Sequence, residues 1–182
     1  MNKAQLTSEL CTYAIHGKNA NIIYLLEENK IKFDRCPFLM ESIKCHHNEI
    51  ADYIKNQMKD DVTNKQIFSS CLKYHNFIEL FELIDKIGFD SFDKFDTLRL
   101  FIENDHTVFT KFYFTYKNDP KIKDEKYYKN ILTLIQMAIK NGNAEIFDLF
   151  INDFDVNNKL FNEENETALH MAVKCGKYDI VK

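Results

Sequence analysis

The chain has 182 residues, 45% hydrophobic and 29% charged, with a net charge of −4. This composition supports a folded core and argues against a disordered chain or a basic protein that coats nucleic acid. Four Gly and two Pro disfavour a turn-rich β fold, no apolar run reaches the ~18 residues of a membrane span, and the opening MNKAQLTSEL has no apolar segment of the secretory kind. The expected location is the cytoplasm, with the nucleus also open to it. Five Cys, an odd number with no CxxC spacing, predict reduced thiols, with Cys11 and Cys71 as small core residues.

A ten-residue word occurs twice, as TLIQMAIKNG (Thr133 to Gly142) and TALHMAVKCG (Thr167 to Gly176), 34 positions apart. A period of that length is the mark of stacked helical hairpins. The word supplies a template: a small residue, an apolar residue, two variable residues, a turn pair, an acid, then two apolar pairs around one free position.

Along the chain, Ala14-Ile15 leads to Ile22-Ile23-Tyr24-Leu25-Leu26, and Ser42-Ile43 to Ile50-Ala51-Asp52-Tyr53-Ile54. Cys71-Leu72 leads to Leu80-Phe81-Glu82-Leu83-Ile84, and Phe101-Ile102 to Phe109 through Tyr113, the poorest match. Ala138-Ile139 and Ala172-Val173 complete six starts, spaced by 28, 29, 30, 37 and 34 residues. Each unit reads as two short helices, the first with apolar residues at i, i+3 and i+4. The turn pairs are Lys18-Asn19, His46-His47, His75-Asn76, Asp105-His106, Gly142-Asn143 and Gly176-Lys177. Gly and Asn there suit the left-handed geometry that ends a helix. Glu49, Glu79, Glu145 and Asp179 then open the second helices, where the helix dipole favours an acid.

Helix starts are marked as well. Thr133 with Gln136 fits a capping box, Thr167 fits an N-cap, and Pro37 fits the first helical position. Ile31 to Asp34, Ile87 to Asp90 and Asp153 to Asn157 read as matching loops after second helices. Residues 113 to 130 read as an extended loop with an added helical turn from Asp124 to Asn130. Phe77, Phe81, Phe89, Phe92 and Phe95 read as stacking contacts between units.

TALHMAVKCGKYDIVK resembles the ankyrin repeat, whose motif runs T-P-L-H-x-A, then Gly-His and Glu-Ile-Val. Thr167, Leu169, His170, Ala172, Gly176, Ile180 and Val181 carry the match, with Ala168 in the place of Pro. Asp153 to Asn157 and Gly88-Phe89-Asp90 are similar to the family's G-A-D-V-N loop. The resemblance implies an all-α solenoid of ankyrin type with about five and a half repeats, the last incomplete. Residues 1–130 form four divergent ankyrin-like units with short connecting loops. Residues 131–182 form one full and one truncated recognisable repeat. It gives Thr167, Leu169, His170, Gly142 and Gly176 structural roles, Thr167 and His170 fixing the start of a first helix. The short second helix of the last unit is expected to fray, the chain reading as the front part of a longer product or as a truncated reading frame.

The resemblance also places the variable pair that ends each first helix on the inner face where partners dock. Its first members are His16, Lys44, Lys73, Glu103, Lys140 and Lys174; the second include Cys45, Tyr74, Asn104, Asn141 and Cys175. Lys44, Lys73, Tyr74, Lys140 and Lys174 are the candidate partner contacts, matched to an acidic peptide or helix. No catalytic, cofactor or metal site is expected. Cys36, Cys45, His46 and His47 lack zinc spacing. Four His fall on turns, His170 belongs to the motif, and His16 has no nucleophile pattern beside it. The expected function is a non-catalytic protein-interaction module, the N-terminal scaffold part of a larger ankyrin protein, with no nucleic-acid or membrane partner. The competing readings are an adaptor that recruits targets to a ubiquitin ligase or similar machine, and an RNA-reading helical repeat. Net acidity opposes the second.

Overall fold

A computed structural model describes residues 6–32, 34–58, 63–116, 125–151 and 166–182. Among them lie twelve α-helices and no strand. The chain divides into two compact units, Met1–Ser91 and Phe92–Lys182. The first contains α1 (Glu9–His16), α2 (Ala20–Glu28), α3 (Arg35–Lys44), α4 (Asn48–Asn56), α5 (Asn64–Lys73) and α6 (Phe77–Ile87), then a 3-10 turn at Phe89–Ser91. The second contains α7 (Lys94–Glu103), α8 (Thr107–Tyr116), α9 (Glu125–Asn141), α10 (Ala144–Ile151), α11 (Ala168–Lys174) and α12 (Tyr178–Val181). Successive helices pair into hairpins, three in each unit. In the first unit α3 packs on α1 and α5 on α3; in the second, α9 packs on α7 and α11 on α9. This is the helical-hairpin architecture of the ankyrin type.

Each hairpin turns by the same device. Lys18, His46, His75, Asp105, Gly142 and Gly176 all have positive φ, between 49° and 77°. Their amides bond three residues back, as in His75 N to Leu72 O at 3.2 Å. The next amide bonds five residues back, as in Asn76 N to Cys71 O at 2.9 Å. Both bonds recur in all six turns, down to Gly176 N to Val173 O and Lys177 N to Ala172 O. This paired arrangement satisfies the last carbonyls of the first helix and sends the chain straight into the second.

The core follows the same register. Counting from the second residue of each turn, the positions four and eight before it face inward. They are Ile15 and Cys11, Ile43 and Leu39, Leu72 and Phe68, Ile102 and Leu98, and Ile139 and Ile135, all at most 4% exposed. One apolar face per helix is buried in this way, and that burial holds these short helices.

Helix starts differ from the expectation at two places. Asp34, not Pro37, begins α3: its side chain accepts from Cys36 N at 3.0 Å. Pro37 sits one turn in, where its missing N–H breaks no intrahelical bond. Thr133 and Gln136 do not form a capping box, because α9 begins at Glu125 and carries both in its interior. Buried Ile131 and Leu132 extend the apolar face N-terminally. Residues 113 to 116 are the end of α8 and 125 to 130 the start of α9, so the predicted loop shrinks from both sides. Buried Tyr113 and half-buried Phe109 draw α8 out by packing on Phe101, with ring centroids at 6.2 and 5.5 Å. The predicted loop from Asp153 to Asn157 lies outside the described residues. Of the five Phe expected to stack, Phe81 is 51% exposed and the other four are half-buried.

Thr167 caps α11. Its hydroxyl accepts from His170 N, and the His170 ring faces the Thr167 N–H, both at 3.4 Å. Thr63 does the same for α5 with Gln66, a capping box that lies outside the repeated word. Cys11 and Cys71 are fully buried, and all five cysteines are free thiols. Burial pushes the Cys11 thiol to about 11 and the Cys71 thiol to about 12.

Candidate partner-binding edge

The first members of the variable pairs end their helices as expected. His16, Lys44, Lys73, Glu103 and Lys174 are last residues, and Lys140 is one short of the end of α9. All six are exposed. The register places them at the edge where the first helix gives way to the turn, with the shared turn geometry holding each in the same position.

In the first unit this edge is a connected polar network. Glu41, on the turn of α3 before Lys44, receives His16 Nε2 at 2.6 Å and Lys44 Nζ at 3.0 Å. Burial alone would raise the Glu41 carboxyl. The His16 hydrogen bond and the Lys44 ammonium outweigh it and hold the group below the usual carboxylate range. Cys45 Sγ lies 3.9 Å from Glu41 Oε1, and burial, then the Glu41 charge, push the thiol up. Cys45 therefore meets His16 and Glu41 rather than His46 and His47, and Cys36 sits at the other end of α3. The Lys44 ammonium already supplies the cation for this cluster. One hairpin further, Lys73 Nζ stands 5.3 Å from the centre of the Tyr74 ring, a cation–π contact that holds an ammonium beside an aromatic face. His46 Nε2 reaches Tyr74 O at 2.9 Å and fastens the two turns.

In the second unit Lys140 is exposed, and Lys174 Nζ reaches Glu166 at 3.3 Å. Asn residues tie the turns together. Asn143 donates to Asp105 at 2.6 Å and Thr107 at 2.7 Å and accepts from Ile146 N, and Asn141 donates to Ile102 O at 2.7 Å. Asn76 does the equivalent work in the first unit. It is buried, donates to Ile43 O and Asn48, and accepts from Glu79 N. Gly142 and Gly176 hold the left-handed turn positions, His170 closes the capping box, and Leu169 is 54% exposed.

Residues 95–182 match the family model for ankyrin repeats, in three copies. Residues 95–182 are ankyrin repeats. The matched span holds the three hairpins of the second unit, α7 to α12. No curated protein matches the chain. Ankyrin repeats are generally protein–protein interaction modules and typically non-catalytic. No described helix is long and apolar enough to cross a membrane.

One polar group of the first unit is legible in the sequence only as a helix-opening acid. Glu79, in the first turn of α6, is 1% exposed. Its Oε1 pairs with Lys55 Nζ at 2.7 Å, and Lys55 also holds Asp52 at 2.7 Å. Glu79 Oε2 is buried with no hydrogen-bond partner. Burial raises the Glu79 carboxyl more than Lys55 lowers it, and Asp52 and Glu82 raise it further. The Lys55 ammonium is raised, because two carboxylates outweigh its burial. The two directions agree physically: the lysine has two partners, while the glutamate has one and an orphaned oxygen. The acidic position is visible in the sequence; its burial depends on how α4 and α6 pack.

Proposed function

We propose that this ankyrin-repeat chain is a protein-interaction scaffold that receives an acidic segment at the ends of its first helices. The observation that carries the reading is the recurrence of an exposed lysine at one register: Lys44, Lys73, Lys140 and Lys174 end or nearly end four of the six first helices. Lys73 with Tyr74 offers both an ammonium and an aromatic face, which suits a carboxylate followed by an apolar stem. Lys44 and Lys174 are each paired with a glutamate that is only partly buried, so an incoming carboxylate exchanges one exposed ion pair for another at little cost. A preformed surface of this kind loses little ordering entropy on binding.

The test is fluorescence anisotropy with a labelled oligoglutamate peptide. The expected result is binding that weakens with added salt and is lost in the Lys73→Glu, Lys140→Glu double variant. Binding by that variant equal to the parent chain would overturn the reading.

A further inference from the structure

Three metal-binding donors of different kinds meet where the first two hairpins pack. His16 is the last residue of α1, Glu41 lies in the last turn of α3, and Cys45 caps that helix. One ligand atom from each lies within 4.8 Å of the other two. His16 Nε2 is 2.6 Å from Glu41 Oε1, and Cys45 Sγ is 3.9 Å from the same oxygen.

The chain builds this set in two steps. Glu41 and Cys45 are four residues apart, so one helical turn puts both on one face of α3. His16 is 25 residues from Glu41 and arrives because α1 packs on α3. Paired zinc spacings along a sequence do not describe a set joined in this way. Ion pairing accounts for only part of it. His16 and Lys44 already satisfy the Glu41 carboxylate. The half-buried Cys45 thiol is not needed for that, yet it stands beside the same oxygen.

We infer that His16, Glu41 and Cys45 form a zinc site that staples α1 to α3. Imidazole, carboxylate and thiolate together suit Zn2+, whereas Mg2+ and Ca2+ take oxygen donors. Zinc bonds of about 2.0–2.3 Å put tetrahedral donors roughly 3.3–3.6 Å apart, so small side-chain shifts close the three on one ion. The charges balance. Zn2+ meets one carboxylate and one thiolate, the imidazole is neutral, and the Cys45 proton leaves to solvent. Water completes the fourth position, on the side of exposed His16. The ion displaces the Lys44 ammonium from Glu41. Lys44 is exposed, so that pair is given up at little cost.

The test is titration of the full chain, kept reduced, with Co2+ as the optical probe and Zn2+ as its competitor. Four-coordinate cobalt with a thiolate ligand absorbs in the visible and adds a charge-transfer band in the near ultraviolet. The expected result is both signals, bleached by one equivalent of Zn2+. The Cys36→Ser, Cys175→Ser double variant should keep them, because those thiols are not part of the set. Cys45→Ser should lose the charge-transfer band. His16→Gln, at an exposed position that leaves the core intact, should weaken cobalt binding about tenfold or more. Lys44→Met should tighten zinc binding roughly two- to fivefold, since the ammonium competes for the same carboxylate. No charge-transfer band in the parent chain would sink the inference. So would a band that survives Cys45→Ser, a band lost in the Cys36, Cys175 variant, or undiminished affinity in His16→Gln.

Discussion

Four of the six turns place a side chain where glycine would be unstrained: Lys18, His46, His75 and Asp105 all have positive φ. A left-handed L-residue costs roughly 1–2 kcal/mol, offset by about 0.4–1 kcal/mol because glycine is freer in the unfolded chain. Three of the four make side-chain contacts that offset it, and His75 does so edge-on to the Phe77 ring at 6.0 Å. His46 bonds Tyr74 O, and Asp105 accepts from Asn143. Lys18 makes no side-chain hydrogen bond or ion pair among the described residues. Lys18→Gly should therefore raise stability by about 0.5–1 kcal/mol, read as a higher urea midpoint, while His46→Gly should gain nothing. The glycine turns give the reverse test. A Cβ at Gly142 would meet Lys177 Cδ at 2.9 Å, whereas at Gly176 it would meet nothing within 4 Å. Gly176→Ala should cost about 1 kcal/mol from backbone strain alone, and Gly142→Ala more, because Lys177 must also move. Equal losses at the two sites would show that Lys177 yields freely.

Between elements, the tie from α4 to α6 is the sharpest case. Removing Lys55 leaves Glu79 a buried, unpaired charge, so Lys55→Met should cost about 3 kcal/mol, at the low end for buried pairs because the ammonium is partly exposed. Glu79 sets a pH dependence. Its folded pKa lies above its ordinary value of 4.5, so the folded state holds the proton more tightly than the unfolded state. Its contribution is then fully present below 4.5 and declines as pH rises through the folded value. Urea unfolding of the parent and of Glu79→Gln across that range should show the parent losing ground as pH rises. A parent that gains ground instead would mean that Lys55 outweighs burial. Glu79 also marks what sequence can carry. The small-apolar step, the turn pair and the opening acid are local and strictly spaced, so all six hairpins and their turns were legible. Thr167 was legible as a cap for the same reason. Thr133, in the same word, was not a cap, because Ile131 and Leu132 draw α9 past it. The exposed lysines were legible by register. The clustering of Glu41 with His16, and the burial of Glu79, were not, since both arise where separate hairpins meet.

At the scale of the whole molecule, each hairpin leans mainly on its neighbours, so stability is set by local stacking more than by one shared core. Identical register positions should then differ sharply in worth according to what covers them. Ile139 and Val173 occupy one register, the first fully buried and the second 62% exposed. Ile139→Ala should cost about 2–5 kcal/mol, and Val173→Ala should fall within about 0.5 kcal/mol of the parent. The same logic orders hydrogen exchange. Within the second unit, α9 and α10 have a packed hairpin on each side, while α12 has four residues and none buried. Amides of α9 should exchange more slowly than those of α11, and in the first unit those of α3 more slowly than those of α1. Exchange at one common rate through α7 to α12 would mean that the second unit unfolds as a single cooperative body. The difference between Ile139 and Val173 would then have to appear in global stability alone.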